Sequence, residues 1–188
     1  MEVAHRPMVF NGSNFTYYNI MAFRKRKEIN IWPKEISTFI LKTFDYSDVQ
    51  TDKDIINAFI KTPFYIWKEM RQDNVDVNID GRTTTSDWNF HGLYKVDMHS
   101  FSDYQKTNFD NFKKHFNASI RQEIGEDELV NEIKESLDLY CQPNLNYYLL
   151  NVKDKSKIHQ WTAYEYFYSG IIVNADNKTL TVVEFGMD

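Results

Sequence analysis

The feature that most constrains the fold is a pair of strand-like runs, "TAYEYFYSGIIV" (162–173) and "TLTVVEF" (179–185), joined by Asn174-Ala175-Asp176-Asn177-Lys178. Both runs are rich in β-branched and aromatic residues, and the connector is built from residues that favour turns. An antiparallel hairpin is predicted. A third run, "NYYLLNV" (146–152), extends it to a C-terminal three-stranded meander. Strands grouped in this way, instead of alternating with helices, place the chain in the α+β class.

Upstream, "VDVNID" (75–80) alternates apolar and polar residues and meets Gly81, so with "WNFHGLYKVDMH" (88–99) it predicts a central β-hairpin. About five α-helices are expected to pack on this antiparallel sheet. The first follows Pro33 and puts Ile36, Phe39, Ile40 and Phe44 on one face. The second is capped by Thr51 and carries Ile55, Ile56, Phe59 and Ile60; the third starts at Thr62-Pro63 and runs to about Arg71. The fourth opens at Ser102 or Thr107, turns Phe109, Phe112, Phe116 and Ile120 inward and stops at Gly125. The fifth begins with Glu126, Asp127 and Glu128, buries Leu129, Ile133, Leu137 and Tyr140, and ends before Pro143. "FTYYNIMAF" (15–23) reads as a strand followed by the basic run Arg24–Lys27. No linker or repeat divides residues 1–188, which are therefore read as a single domain.

Composition narrows the function classes. Lys plus Arg total 22 against 27 Asp plus Glu, a formal charge of -5 that opposes non-specific attraction to nucleic acid or an anionic membrane. The first residues lack the pattern of a signal peptide and no apolar run is long enough to span a bilayer, so a cytoplasmic protein is expected. Cys141 is the only cysteine, which removes any intrachain disulfide and any CxxC pair. Six glycines supply neither a P-loop nor a dinucleotide fingerprint, and no G-x-S-x-G elbow is present. No cofactor and no metal is expected. Residues 10–21, "FNGSNFTYYNIM", resemble the short opening motif of copia-type retrotransposon gag proteins. The likeness is confined to those residues, Tyr18 stands where that motif has tryptophan, and no function is transferred from it.

Two constellations carry chemistry. If 88–99 is one strand, His91, Lys95, Asp97 and His99 share a face. An imidazole oriented by a carboxylate is a general base, so His91, Asp97 and His99 are the candidates for a small hydrolase or a metal-dependent enzyme. Same-face residues on a strand stand about 6.5 to 7 Å apart, which leaves Asp97 and His99 as a pair and His91 remote; a half-solvated strand reads the same way. The other constellation is acidic. On the fifth helix Glu128, Glu132, Glu135 and Asp138 form a stripe opposite the apolar one, and Tyr164, Tyr166 and Tyr168 share a face of the neighbouring strand. Carboxylates attract a basic protein and Tyr residues anchor interfaces. With aromatic content at 16%, the leading expectation is an acidic protein-binding module, of inhibitor or immunity type, directed at a basic toxin or nucleic-acid-acting enzyme.

Overall fold

A computed structural model describes residues 23–34, 37–47, 51–65, 78–79, 82–83, 90–124, 128–158 and 166–187. In chain order the elements are β1 (Phe23–Lys34), β2 (Ser37–Tyr46), α1 (Asp52–Ile60), β3 (Asn78–Ile79), β4 (Arg82–Thr83), β5 (Phe90–His91), β6 (Tyr94–Lys95), β7 (Tyr104–Thr107), α2 (Phe109–Ile124), α3 (Glu128–Tyr140), β8 (Asn146–Leu150), β9 (Tyr166–Asn174) and β10 (Thr179–Met187). Six of the strands form one antiparallel sheet in the order β1-β2-β10-β9-β8-β7. The remaining four make two separate two-residue pairs, β3 with β4 and β5 with β6.

Both faces of the sheet are covered. Alternate side chains of β2, β9 and β10 (Phe39, Leu41, Ile172, Val183, Phe185) pack against Phe112, Phe116 and Ile120 of α2 and Val130, Ile133 and Leu137 of α3. The opposite parity (Phe44, Ile171, Val173, Leu180, Val182) meets Ile55, Ile56, Phe59 and Ile60 of α1, together with Tyr65 from a short 3-10 turn. Each fully buried aliphatic or aromatic side chain contributes about 1.5–3 kcal/mol, so the two apolar layers carry most of the stabilisation. α2 approaches closely because Gly170 of β9 has no side chain: a Cβ there would fall within contact of the Phe112 and Phe116 rings. α1 starts at a reciprocal cap, Asp54 N donating to Thr51 Oγ1 and Thr51 N donating to the Asp54 carboxylate, each at 3.3 Å.

The fold is α+β, but its layout differs from the one read off the sequence. The C-terminal strands β8, β9 and β10 pair consecutively but are the middle of a six-stranded sheet, flanked by β7 on one side and β2 and β1 on the other, and the described residues contain three α-helices where about five were expected. The expected helix after Pro33 is β2. "STFILKTFDY" is a strand covered on both faces, so it is apolar at odd and even positions and mimics helical spacing. The basic run Arg24–Lys27 lies inside β1, not after a strand, and residues 15–22 fall outside the described residues. Only Pro63–Tyr65 of the expected third helix is described, as a 3-10 turn. α2 is capped by Asn108, whose Oδ1 accepts from Asn111 N at 2.8 Å, because Ser102–Thr107 forms a 3-10 turn and β7. On α3 the expected Ile133 and Leu137 are buried together with Val130, and the side chain of Leu129 lies outside the described residues.

The central hairpin is also different. Residues 90–99 are no single strand, and Trp88 and Asn89 lie outside the described residues: β5 and β6 are joined tightly through Gly92, at φ +57, and Val96–Met98 is a 3-10 turn. Glycine is required there, since the left-handed backbone disfavours a side chain and a Cβ would collide with the Phe167 ring.

Candidate functional site

The turn at Gly92 undoes strand alternation and brings His91 and His99 together, ring centroids 6.1 Å apart, with His91 stacked on the Tyr65 ring and His99 edge-on to it. His91 is completely buried and His99 is 8% exposed, whereas Asp97 projects into solvent. Lys95 has no described side chain. The expected pairing of Asp97 with His99, and the expected isolation of His91, both rest on a straight strand that the hairpin replaces.

Around the two imidazoles lies a hydrogen-bonded chain. His91 Nδ1 is 2.8 Å from the Tyr65 carbonyl and its Nε2 is 2.9 Å from Ser169 Oγ. Tyr65 OH lies 2.7 Å from His99 Nδ1 and 2.9 Å from Tyr104 OH, and Tyr104 OH also bonds Ser169. Burial pushes His91 down to about 3, with the nearby Lys42 ammonium adding to the effect and the bond to the Tyr65 carbonyl opposing it, so the ring is neutral at pH 7. His99 is also pushed down to about 3, first by burial and then by the neighbouring His91, against the opposing charge of Asp103. Burial raises the Tyr65 and Tyr104 hydroxyls above their ordinary range.

Neutral rings and one carbonyl fix every proton. A carbonyl only accepts, so His91 Nδ1 carries the proton and His91 Nε2 must accept from the Ser169 hydroxyl. Ser169 has then used its proton and accepts from Tyr104, which accepts from Tyr65, which accepts from His99 Nδ1. His99 Nε2 is left as a bare lone pair, and it has no hydrogen-bond partner among the described residues.

Beneath the chain sits a second buried polar pair. Glu184 of β10 is 2% exposed and bonds Lys42 of β2 at 3.3 Å, with His91 Nδ1 at 3.3 Å from its other oxygen. Burial raises the Glu184 carboxyl above the usual carboxylate range, and Lys42 pulls it back. Among the described residues no group of three or more His, Cys, Asp or Glu side chains is placed to hold a metal ion. Sequence reasoning missed Tyr65, Tyr104, Ser169, Lys42 and Glu184. The available signal was a lone Lys in "FILKTF" and a lone Glu in "TVVEF", single charges inside strands that are otherwise buried.

The acidic constellation lies on the other side of the sheet. Glu132, Glu135 and Asp138 are exposed on α3, and Asp138 pairs with Lys113 of α2. Leu139 beside them is 64% exposed. Glu128 is the first residue of α3 but its side chain is outside the description, and Tyr164 is outside the described residues altogether. Tyr166 is 39% exposed, while Tyr168 is half-buried, stacked on Phe185 and edge-on to His115. The three tyrosines are thus not shown as one open patch.

No protein-family model and no curated protein matches the chain. Among solved structures it is similar to citrus MAF1 in two crystal forms. One has a TM-score of 0.40 and 15% identity, covering 81% of this chain and 88% of that one. The other has a TM-score of 0.38 and 11% identity, covering 81% and 90%. Similarity at this level carries no function across. No helix among the described residues is long and apolar enough to cross a membrane.

Proposed function

We propose that this chain is a cytoplasmic, acidic protein-binding module, of inhibitor or immunity type, whose partner presents a basic surface. The observation that carries the reading is the outer face of α3, where Leu139, 64% exposed, stands next to Glu132, Glu135 and Asp138. An exposed aliphatic side chain is an anchor for a partner's pocket, and the carboxylates around it supply steering and register. The test compares the parent with a Glu132→Lys/Glu135→Lys double variant in pull-downs from the native source at low and high salt. Charges separated by more than about 8 Å are screened at physiological salt, so capture by the parent should weaken with salt and the variant should lose it. Equal recovery of the same protein by both would remove the electrostatic argument.

A second reading, a small hydrolase, is favoured by the bare Nε2 of His99. Of the expected trio only His99 remains placed for it, since both nitrogens of His91 are engaged and Asp97 faces solvent. Ester hydrolysis lost in His99→Asn, with the fold intact, would support it; equal rates would end it.

A further inference from the structure

We propose that a cleft between β1, the C-terminal end of α3 and the β9–β10 turn binds a small phosphorylated molecule. The cleft has a volume of about 390 Å³, inside the range of small-molecule sites. Although the chain carries 27 acidic against 22 basic residues, no Asp or Glu among the described residues lines the cleft, whereas Arg26 and Lys27 do. Arg26 is held at 2.7 Å by Asp45, which Arg24 shares at 3.4 Å, so two guanidinium groups face one carboxylate and positive charge is left over. The Lys27 ammonium stands 5.6 Å over the Tyr140 ring and has no carboxylate partner among the described residues. The C-terminal carbonyls of α3 add partial negative charge at that wall, and Lys27 is positioned to offset it.

Buried donors complete the site. Thr43 and Thr181 are 5% and 6% exposed, and their hydroxyls bond each other at 3.0 Å. One of the two protons fills that bond, and the other is left to donate to a third partner. Asn174 Oδ1 accepts from Asn177 N at 3.0 Å, which fixes the amide and leaves its N–H groups as donors at the cleft. Two cations with neutral donors suit a dianionic phosphate, and Tyr140, Leu145 and Ile172 give its organic part an apolar wall.

The test is a titration of the full chain with phenyl phosphate, followed by amide chemical shifts, with phenol and phenylacetate as comparators. Saturable shifts at Lys27, Thr43, Asn174 and Thr181 are expected with phenyl phosphate only. Lys27→Gln, a change at an exposed residue, should weaken binding about tenfold, and Lys106→Gln on β7 should leave it unchanged. Thr181→Val should weaken it too, by removing the hydroxyl pair. Absence of saturable shifts at these amides, equal binding by Lys27→Gln, or equal binding of phenylacetate would overturn the proposal.

Discussion

Acid should unfold this protein from its histidines. His91 and His99 are both buried and both pushed down to about 3, whereas in the unfolded chain each titrates near 6.5. Between those values the unfolded chain holds more protons than the folded one, so stability is complete above about pH 7.5 and falls as pH drops. At pH 5 each imidazole removes about 2 kcal/mol, and the pair about 4 kcal/mol, a large share of the 5–15 kcal/mol typical of a domain. Glu184 works in the opposite sense: its raised carboxyl takes up a proton in the folded state first, which offsets part of the loss toward lower pH. A substitution separates the two effects. Asn at position 99 retains a donor near the place of Nδ1 and does not titrate, so His99→Asn should shrink the pH-dependent loss by about 2 kcal/mol whatever Glu184 does. Urea unfolding followed by tryptophan fluorescence, at steps from pH 7.5 to 5, measures both. A stability constant to within about 1 kcal/mol over that range, or the same loss in His99→Asn, would refute the placement of two neutral imidazoles in the core.

Three further outcomes are expected. Tyr65→Phe strips the hydroxyl that accepts from His99 and donates to Tyr104, leaving buried groups unpaired, and should cost about 1–3 kcal/mol in the same urea assay at pH 7.5. Gly170→Ala should be destabilising by about 1–3 kcal/mol in thermal or chemical unfolding, because the new methyl meets the Phe112 and Phe116 rings instead of open space. Cys141, buried and with its thiol pushed up to about 12 mainly by burial, should resist a thiol reagent at pH 8 in the folded protein and react fully once unfolded.

What could be read from the sequence depended on how many faces of an element are covered. α1, α2 and α3 have one apolar stripe each, and their stripes can be followed in the spacing of Ile55 to Ile60, Phe112 to Ile120 and Ile133 to Leu137. β2 has two buried faces, loses its alternation, and reads as a helix. β7, four residues with two of them exposed, has too little pattern to be seen. The site was hidden for a similar reason. His91 and His99 were both singled out, but the positive φ at Gly92 decides whether they meet, and the groups that fix their protons come from Tyr65, Tyr104 and Ser169, far apart in sequence. Periodicity reports which residues share a face of one element; it carries no information on which residues of different elements meet.

The strand order has a consequence for the kinetics of folding. β1 and β2 form a hairpin early in the chain, yet β2 finds its second neighbour only in β10, with Asp45 opposite Thr179. Closing so long a loop costs entropy before any contact repays it, so completion of the sheet should be slow compared with formation of either hairpin. Until β10 arrives, the edge of β2 stands open with Phe39, Leu41 and Phe44 unshielded, which is the condition for pairing with a second chain. On the adjoining strand, Lys27 and the positive charge that Arg24 and Arg26 leave over beside Asp45 should then disfavour such pairing between unfinished copies.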